Sequence, residues 1–350
     1  MLNSLYIEAA KKRGIIKEIL PELTGEGSIP DMWEEIQVKP SSEDFSLAAG
    51  DGSFNKKNFL AFTFFAVGAE SVIYNGEFKK IDDSIIDSIE HCPFIDDLLR
   101  LYMGVLELKS AINTIEYMDV DYYFIDGSLF GDLIRSFPKN ILINKKRQEE
   151  LLSLVDELKE SVKYFNYKLQ AKRLIDQYYP NYADKNDYIM FLTSIELLCL
   201  LKQLFQHKEK LIAISKTSIN KDLFNSNIPD ISIFDKYTKK AGISRIIYKK
   251  VENEVKFDFL VENEYFKKLF FTIFYLRLED NKNVLKVELP YYASYEEILE
   301  IIKKIKKYSA DGYPYLLKKA HKDVVITNKD MDSLAIMVNL QEKIGREMLR

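Results

Sequence analysis

The sequence predicts an α/β fold: a mixed β-sheet flanked by helices, interrupted by a helical insertion. Three observations predict it. Runs rich in Val, Ile, Phe and Tyr, set off by turn residues, recur near 47–80, 122–126, 210–218 and 240–290. Between them lie segments with apolar residues at helical spacing, notably 94–118, 145–177, 187–208 and 294–309. The chain has 350 residues, 47% of them apolar, with only 13 glycines and 9 prolines, so it can bury a sizeable core and is not low-complexity.

Taken in order, residues 1–24 read as a helix, and "GEGSIP" breaks it. Residues 26–46 read as irregular. Then "SLAAGDGSF", "NFLAFTFFAVGAESVIY" and "EFKKI" read as strands, the last two joined at Asn75-Gly76, a strong hairpin signal. Pro93 precedes a helix over 94–118, as helix entries favour. "VDYYFIDGSL" reads as a strand. Two long helical patterns, 145–177 and 187–208, are split by "YYPNYADKN", and "KLIAISKTS" is another short strand. "SRIIYKKV", "VKFDFLV", "LFFTIFYLRL" and "VLKVELP" read as strands. A helix over 294–309 has a Ser N-cap and a basic last turn, and its Lys-rich face reads as solvated. A short helix follows "DGYP", and 331–348 reads as a terminal helix. The apolar faces of the terminal helices read as core packing, with a dimer interface as the alternative.

Composition narrows the chemistry. The formal charge of −4, from 50 basic and 54 acidic residues, neither demands nor excludes nucleic acid. Two distant cysteines, Cys92 and Cys199, argue against a disulfide framework and fit a reducing compartment. With three histidines and no CxxC, a metal site would have to be built mainly from carboxylates, which suits Mg²⁺ or Mn²⁺. The first residues lack the apolar core of a signal peptide. The run "FLAFTFFAVGA" is about half of a membrane span. The expectation is a cytoplasmic protein with no membrane partner.

Asp51 in "LAAGDGSF" and Asp126 in "YYFIDGSL" each end an apolar strand. An Asp-Gly pair is an ordinary turn signal, but a carboxylate at the end of a buried strand is costly unless paired or metal-bound. The helix between them carries Glu107, whose face neighbours Gly104, Ala111 and Thr114 are small, with Arg100 the exception. Met103, Gly104, Ser110 and Ala111, three and four positions away, offer it no helical salt bridge. Glu107 is therefore expected between helix and sheet. Three such carboxylates suit a two-metal site, where one ion activates water and the other steadies the leaving oxygen of a phosphodiester. The order strand-Asp, hairpin, helix-Glu, strand-Asp resembles the ribonuclease H-like arrangement. Near the C-terminus, "DGYPYLLKKAHKDV" places Tyr313 and His321 eight residues apart, which a helix would separate by ~12 Å along its axis, both able to edge one cleft.

The ordered set "AGDGSF", Glu107, "FIDGSL", "ISKTS" and "GYPYLLKKAH" resembles the NurA nuclease family over 47 to about 325. The resemblance implies one NurA-type domain over 1–350: an RNase H-like core over about 45–135 and 210–325, a helical insertion over about 145–208, and terminal helices over 1–24 and 331–348. It implies a Mn²⁺-dependent DNA nuclease of archaeal type, working as a homodimer with a HerA-type hexameric ATPase. The expected activity is 5'–3' exonucleolytic end resection in double-strand-break repair and homologous recombination, with endonuclease activity on single-stranded DNA. Asp51, Glu107, Asp126 and His321 would hold the metal, two Mn²⁺ ions with Mg²⁺ as substitute. Tyr313 would position a phosphate or stack on a base, and Lys216, in "ISKTS", would offset transition-state charge. Gly52 and Gly127 would leave room for metal or substrate, and Ser53 and Ser128 would bond a carboxylate or a phosphate. The alternatives are another RNase H-like nuclease or strand-transfer enzyme, and a non-catalytic dimeric adaptor for a DNA-translocating ATPase.

Overall fold

The computed structural model describes residues 2–19, 29–135, 143–163, 168–224 and 226–340. Helix α1 (Asn3–Ile19), a helical turn α2 (Ile29–Met32) and strand β1 (Trp33–Glu35) come first. An antiparallel meander follows, formed by β2 (Leu47–Asn58), β3 (Phe62–Tyr74) and β4 (Phe78–Glu90). Then come α3 (Ile95–Tyr117), β5 (Tyr122–Asp126) and α4 (Leu129–Ile134). The insertion comprises α5 (Lys145–Leu152), α6 (Val155–Lys163), α7 (Gln170–Tyr178) and α8 (Lys185–Leu204), and leads to β6 (Leu211–Ser215). The last part runs α9 (Asp230–Tyr237), β7 (Gly242–Ser244), β8 (Ile247–Lys250), α10 (Val251–Glu254), α11 (Asn263–Lys267), β9 (Phe270–Arg277) and β10 (Leu285–Leu289). It ends with α12 (Tyr295–Lys307), β11 (Ser309–Ala310), β12 (Tyr313–Pro314), α13 (Tyr315–Val324) and α14 (Asn328–Met337).

One ten-stranded sheet runs β1-β7-β9-β10-β6-β5-β2-β3-β4, with β8 beside β9. β5 pairs parallel to β2 and to β6. The segment β4-β3-β2-β5-β6 is thus a meander of three strands followed by two parallel additions on the side of the first strand. That is the ribonuclease H-like order expected from the sequence of Asp-bearing strands and Glu-bearing helix. The hairpin at Asn75-Gly76 forms as expected, with Gly76 at φ +96°, a conformation glycine adopts freely.

Both sheet faces are covered, which explains strands apolar on every position. Ala48, Phe65, Val67 and Ala213 face α3 and α8 in one core, while Leu47, Ala49, Phe124, Ile212 and Ile214 face α12 and α13 in the other. Helix α12 buries Ile298, Ile301, Ile302 and Ile305 and starts with a capping box between Ser294 and Glu297. Its lysines pair internally: Lys306 with Glu279 at 2.6 Å and Lys307 with Asp44 at 2.9 Å. Helix α8 with its 3-10 extension is long and apolar enough to span a membrane by composition, but most of that stretch is buried in the protein. Tyr123 crosses the sheet at Gly50, where a Cβ would lie 2.0 Å from its hydroxyl. That hydroxyl is 2.6 Å from Ser71 Oγ, itself 2.7 Å from Ser110 Oγ. Gly50→Ala is expected to lower unfolding free energy by roughly 1–3 kcal/mol through overpacking, measured by denaturant titration. An unchanged midpoint would show that Tyr123 can move aside.

Several expectations are corrected. Segment 145–177 is three short helices rather than one: a turn at 153–154 parts the first two, and residues 164–167, between the second and third, lie outside the described residues. "VKFDFLV" forms no strand: Val255, Phe259 and Val261 are buried by α10 and α11 packing without a ladder partner. β4 runs on to Glu90 because its alternation continues through "DDSIIDSIE". Residues 26–46 include β1, which pairs with β7. The last described helix ends at Met337, earlier than expected, and 20–24 and 341–348 lie outside the described residues. Core packing does not hold for α1, which exposes Leu5, Tyr6, Ile7, Ile15 and Ile16. Helix α14 buries Met331 and Ala335 but exposes Ile336 and Met337.

Candidate active site

β5 stops at Asp126, while β2 continues to Asn58. Their pairing ends at Gly50↔Ile125, so a notch opens beside β2 at Asp51. Asp51 has the same strand parity as Ala49, and Asp126 the same as Phe124, so both carboxylates aim to the α12/α13 side. Gly127, at φ +130°, turns the chain away and donates its amide to Ile214 O at 3.1 Å. Ser128 then caps α4, accepting the Gly131 amide at 2.9 Å.

Helix α13 brings His321 over the notch. Its Nδ1 lies 2.7 Å from Asp51 Oδ2; an ionised carboxylate only accepts, so the imidazole donates, and Nε2 has no hydrogen-bond partner among the described residues. Ligand atoms of Asp51, Asp126 and His321 all lie within 4.8 Å of one another. Lys216, just past β6, donates to Asp126 Oδ2 at 3.0 Å and sits 4.7 Å from the Tyr313 ring centroid. The Tyr313 hydroxyl donates to the same Asp126 oxygen at 3.4 Å. The two Asp side chains are 14% and 18% exposed and His321 60%, so the group lies at the floor of an open cleft.

Tyr313 and His321 reach the cleft differently from the expected single helix. Tyr313 belongs to the β11–β12 hairpin, which turns at Gly312 (φ +76°). Pro314 is the extended N-cap of α13, not a residue of its first turn.

Glu107 arrives from the opposite face. Gly52 has the parity of Ala48 and faces α3; a Cβ there would lie 2.3 Å from Glu107 Oε1 and 2.6 Å from Met103 Cγ. The glycine therefore makes room for Glu107 itself, rather than for metal or substrate. Glu107 stands outside the Asp51–Asp126–His321 group and lines a cavity of about 560 Å³ between α3, α8 and the sheet, which Asp126 also borders. Burial first, then the negative charges of Asp51, Asp132 and Asp126, pushes its carboxyl up to about 8. Burial likewise raises Asp51, against the His321 bond and the Gly52 amide, which donates to Asp51 Oδ1 at 2.9 Å. Burial and the neighbouring Asp126 raise the Tyr313 phenol strongly. Burial, with neighbouring negative charge second to it, holds the Glu107 and Asp51 carboxyls toward the neutral form, which a cation beside them would reverse.

Ser128 meets a carboxylate, donating to Glu288 at 2.5 Å, and Ser53 Oγ accepts the Ile326 amide at 3.1 Å. Glu288 and its partner Lys286 escape a reading of the sequence, because "LKVEL" alternates like a half-solvated strand. Only the second layer over the sheet shows that both are buried.

Comparisons with known proteins give the family and the fold. The NurA domain family matches residues 45–326. The probable DNA double-strand break repair nuclease NurA of Methanocaldococcus jannaschii is 34% identical over 88% of this chain and 82% of its own length. The DNA double-strand break repair nuclease NurA of Sulfolobus acidocaldarius is 26% identical over 98% and 97%. The crystal structure of the NurA nuclease from Sulfolobus solfataricus shares the fold, with a TM-score of 0.75 at 24% identity and 97% of each chain covered. So does a NurA crystal structure bound to dAMP and manganese, with a TM-score of 0.72 at 18% identity, covering 99% of this chain and 100% of that one. A match over four-fifths of the sequence, and a relative 34% identical over most of both chains, settle the kinship: the chain belongs to the NurA family.

Proposed function

We propose that this protein is a metal-dependent DNA nuclease of double-strand-break repair, hydrolysing phosphodiesters at DNA ends. The observation that carries the reading is the convergence of Asp51, Asp126 and His321 donor atoms within 4.8 Å of one another. Oxygen donors with one imidazole suit Mn²⁺, and manganese is bound in the related crystal structure. Asp51, Asp126 and His321 hold the metal, with Glu107 at the Gly52 side completing a two-ion set. When bound, the metal supplies Lewis-acid polarisation of the phosphate and a more acidic attacking water. Glu107 orients that water. Lys216 sets its ammonium where charge builds on the phosphate. Tyr313, held by Asp126, positions the phosphate or stacks on the terminal base. The free Nε2 of His321 ligates or carries a proton at the leaving oxygen.

The finer reading follows the family. Residues 1–350 form one nuclease domain acting 5'–3', with endonuclease activity on single strands. It works in the cytoplasm as a homodimer with a HerA-type ATPase. The exposed apolar side chains of α1 support a protein partner. The test is cleavage of end-labelled single-stranded, duplex and RNA–DNA hybrid substrates with Mn²⁺ or Mg²⁺, with and without a HerA-type ATPase. Mn²⁺-dependent shortening of DNA from the 5' end is expected; cleavage confined to the hybrid's RNA strand, or no cleavage, overturns the reading.

Lys318 and Lys322 stand exposed on α13 beside His321 and make no ion pair among the described residues. Lys319, by contrast, is tied to Asp323 at 2.8 Å. The two free lysines suit the phosphates flanking the scissile one. Lys318→Ala with Lys322→Ala is expected to raise KM, leave kcat near normal, and flatten the log–log salt dependence of binding by about 0.7–0.9 per lost contact. An unchanged slope would refute that contact.

A further inference from the structure

Asp126 sits at a strand end followed by a glycine of positive φ, so something other than the strand must fix its direction. The residues after it are held from two strands away. On β10, Leu285, Val287 and Leu289 enter the α12 core, while Lys286 and Glu288 point to the opposite face. Their side chains are 3% and 0% exposed, and Lys286 Nζ lies 2.6 Å from Glu288 Oε1. A buried ion pair is a poor device for stability, since apolar residues of similar size often serve as well. Its other contacts give the reason for it. Glu288 Oε1 accepts the Ser128 hydroxyl at 2.5 Å, and Oε2 accepts the Phe130 amide at 2.9 Å. With Gly127 bonded to Ile214 O, the residues 127, 128 and 130 are each tied to the sheet interior.

We propose that Glu288, neutralised and oriented by Lys286, is a positioning residue that holds the Asp126–Gly127–Ser128 turn, and through it the Asp126 carboxylate, at the metal-binding point. Glu288 does not touch substrate; it acts through the turn. The inference rests on the nuclease reading above only in taking Asp126 as a metal ligand.

The experiment uses the full chain with MnCl₂ alone as the binding probe. Ser128→Ala removes the shared hydroxyl and leaves the ion pair. Glu288→Gln combined with Lys286→Met removes both charges together, so neither is stranded; glutamine accepts from Ser128 or from Phe130 but not from both. Mn²⁺ affinity by calorimetry, the metal-free melting temperature, and kcat and KM on end-labelled DNA are measured. Both variants are expected to fold, Ser128→Ala melting a few °C lower because it also loses the α4 cap, to bind Mn²⁺ and turn over about 10–100-fold less well, and to keep KM for DNA. Ser128→Thr, which restores the hydroxyl, is expected to recover both. Folded variants with wild-type Mn²⁺ affinity and kcat overturn the proposal. If the double variant fails to fold, Ser128→Ala decides alone. Failure of the nuclease reading shows earlier and separately, as a wild-type chain that does not cleave DNA with Mn²⁺, while the Mn²⁺-affinity comparison still reads the positioning role.

Discussion

The Asp51→Asn variant is expected to fold, to bind DNA and to fail to cut it. Asp51 is the carboxylate that His321 contacts and that shares a 4.8 Å cluster with Asp126. Losing its charge removes one of the two anionic donors of that cluster. Metal polarisation of a phosphoryl group supplies several kcal/mol, so Mn²⁺-dependent cleavage should fall on the order of 10³-fold or more. The fold should not suffer. Asparagine keeps the shape and an acceptor for the imidazole. It also removes a carboxyl that burial and Asp126 already push toward the neutral form, so metal-free stability should be equal or higher. Single-turnover cleavage on end-labelled DNA, a melting curve without metal, and a DNA-binding isotherm check the three parts. A variant that binds and still cuts with Mn²⁺ at near wild-type rate removes Asp51 from the site. A variant that unfolds makes Asp51 a structural residue instead.

What the sequence made legible is what obeys local rules. The Asn75-Gly76 hairpin, the helix after Pro93, the Ser294 cap and the two Asp-ended strands follow from turn chemistry and periodicity. Glu107 was legible through the small residues beside it and the lack of a helical partner. What the sequence hid depends on layers that only tertiary structure assembles. Lys286 and Glu288 look solvated until the second sheet face is known to be covered. "VKFDFLV" has strand composition, but it pairs with no strand among the described residues. Tyr313 and His321 share a stretch that reads as one helix, yet a two-residue strand and Pro314 divide it. The division is functional: it lets Tyr313 approach Asp126 from the hairpin while His321 approaches Asp51 from the helix.

Glu107→Gln should abolish the loss of stability that Glu107 brings as pH rises, and should sharply lower activity. In the metal-free fold the Glu107 carboxyl titrates at about 8, above the ordinary glutamate value of 4.5. The folded state therefore holds this proton more tightly than the unfolded chain does. That contribution is fully present below the unfolded value and is lost as pH rises from about 4.5 through about 8. Glutamine cannot ionise and suffers no such loss. Metal-free melting temperatures of wild type and variant should coincide near about pH 4 and separate by a few °C, variant higher, at about pH 8.5. Adding Mn²⁺ at the higher pH should stabilise the wild type more than the variant, because only the wild type offers the extra carboxylate. Cleavage at that pH should fall on the order of 10²–10³-fold, as for loss of a group that orients the nucleophile. A melting difference that is the same at both pH values would mean that Glu107 is not held as a neutral acid beneath Gly52. A variant that keeps full Mn²⁺ stabilisation would place Glu107 outside the metal set, leaving Asp51, Asp126 and His321 to hold it alone.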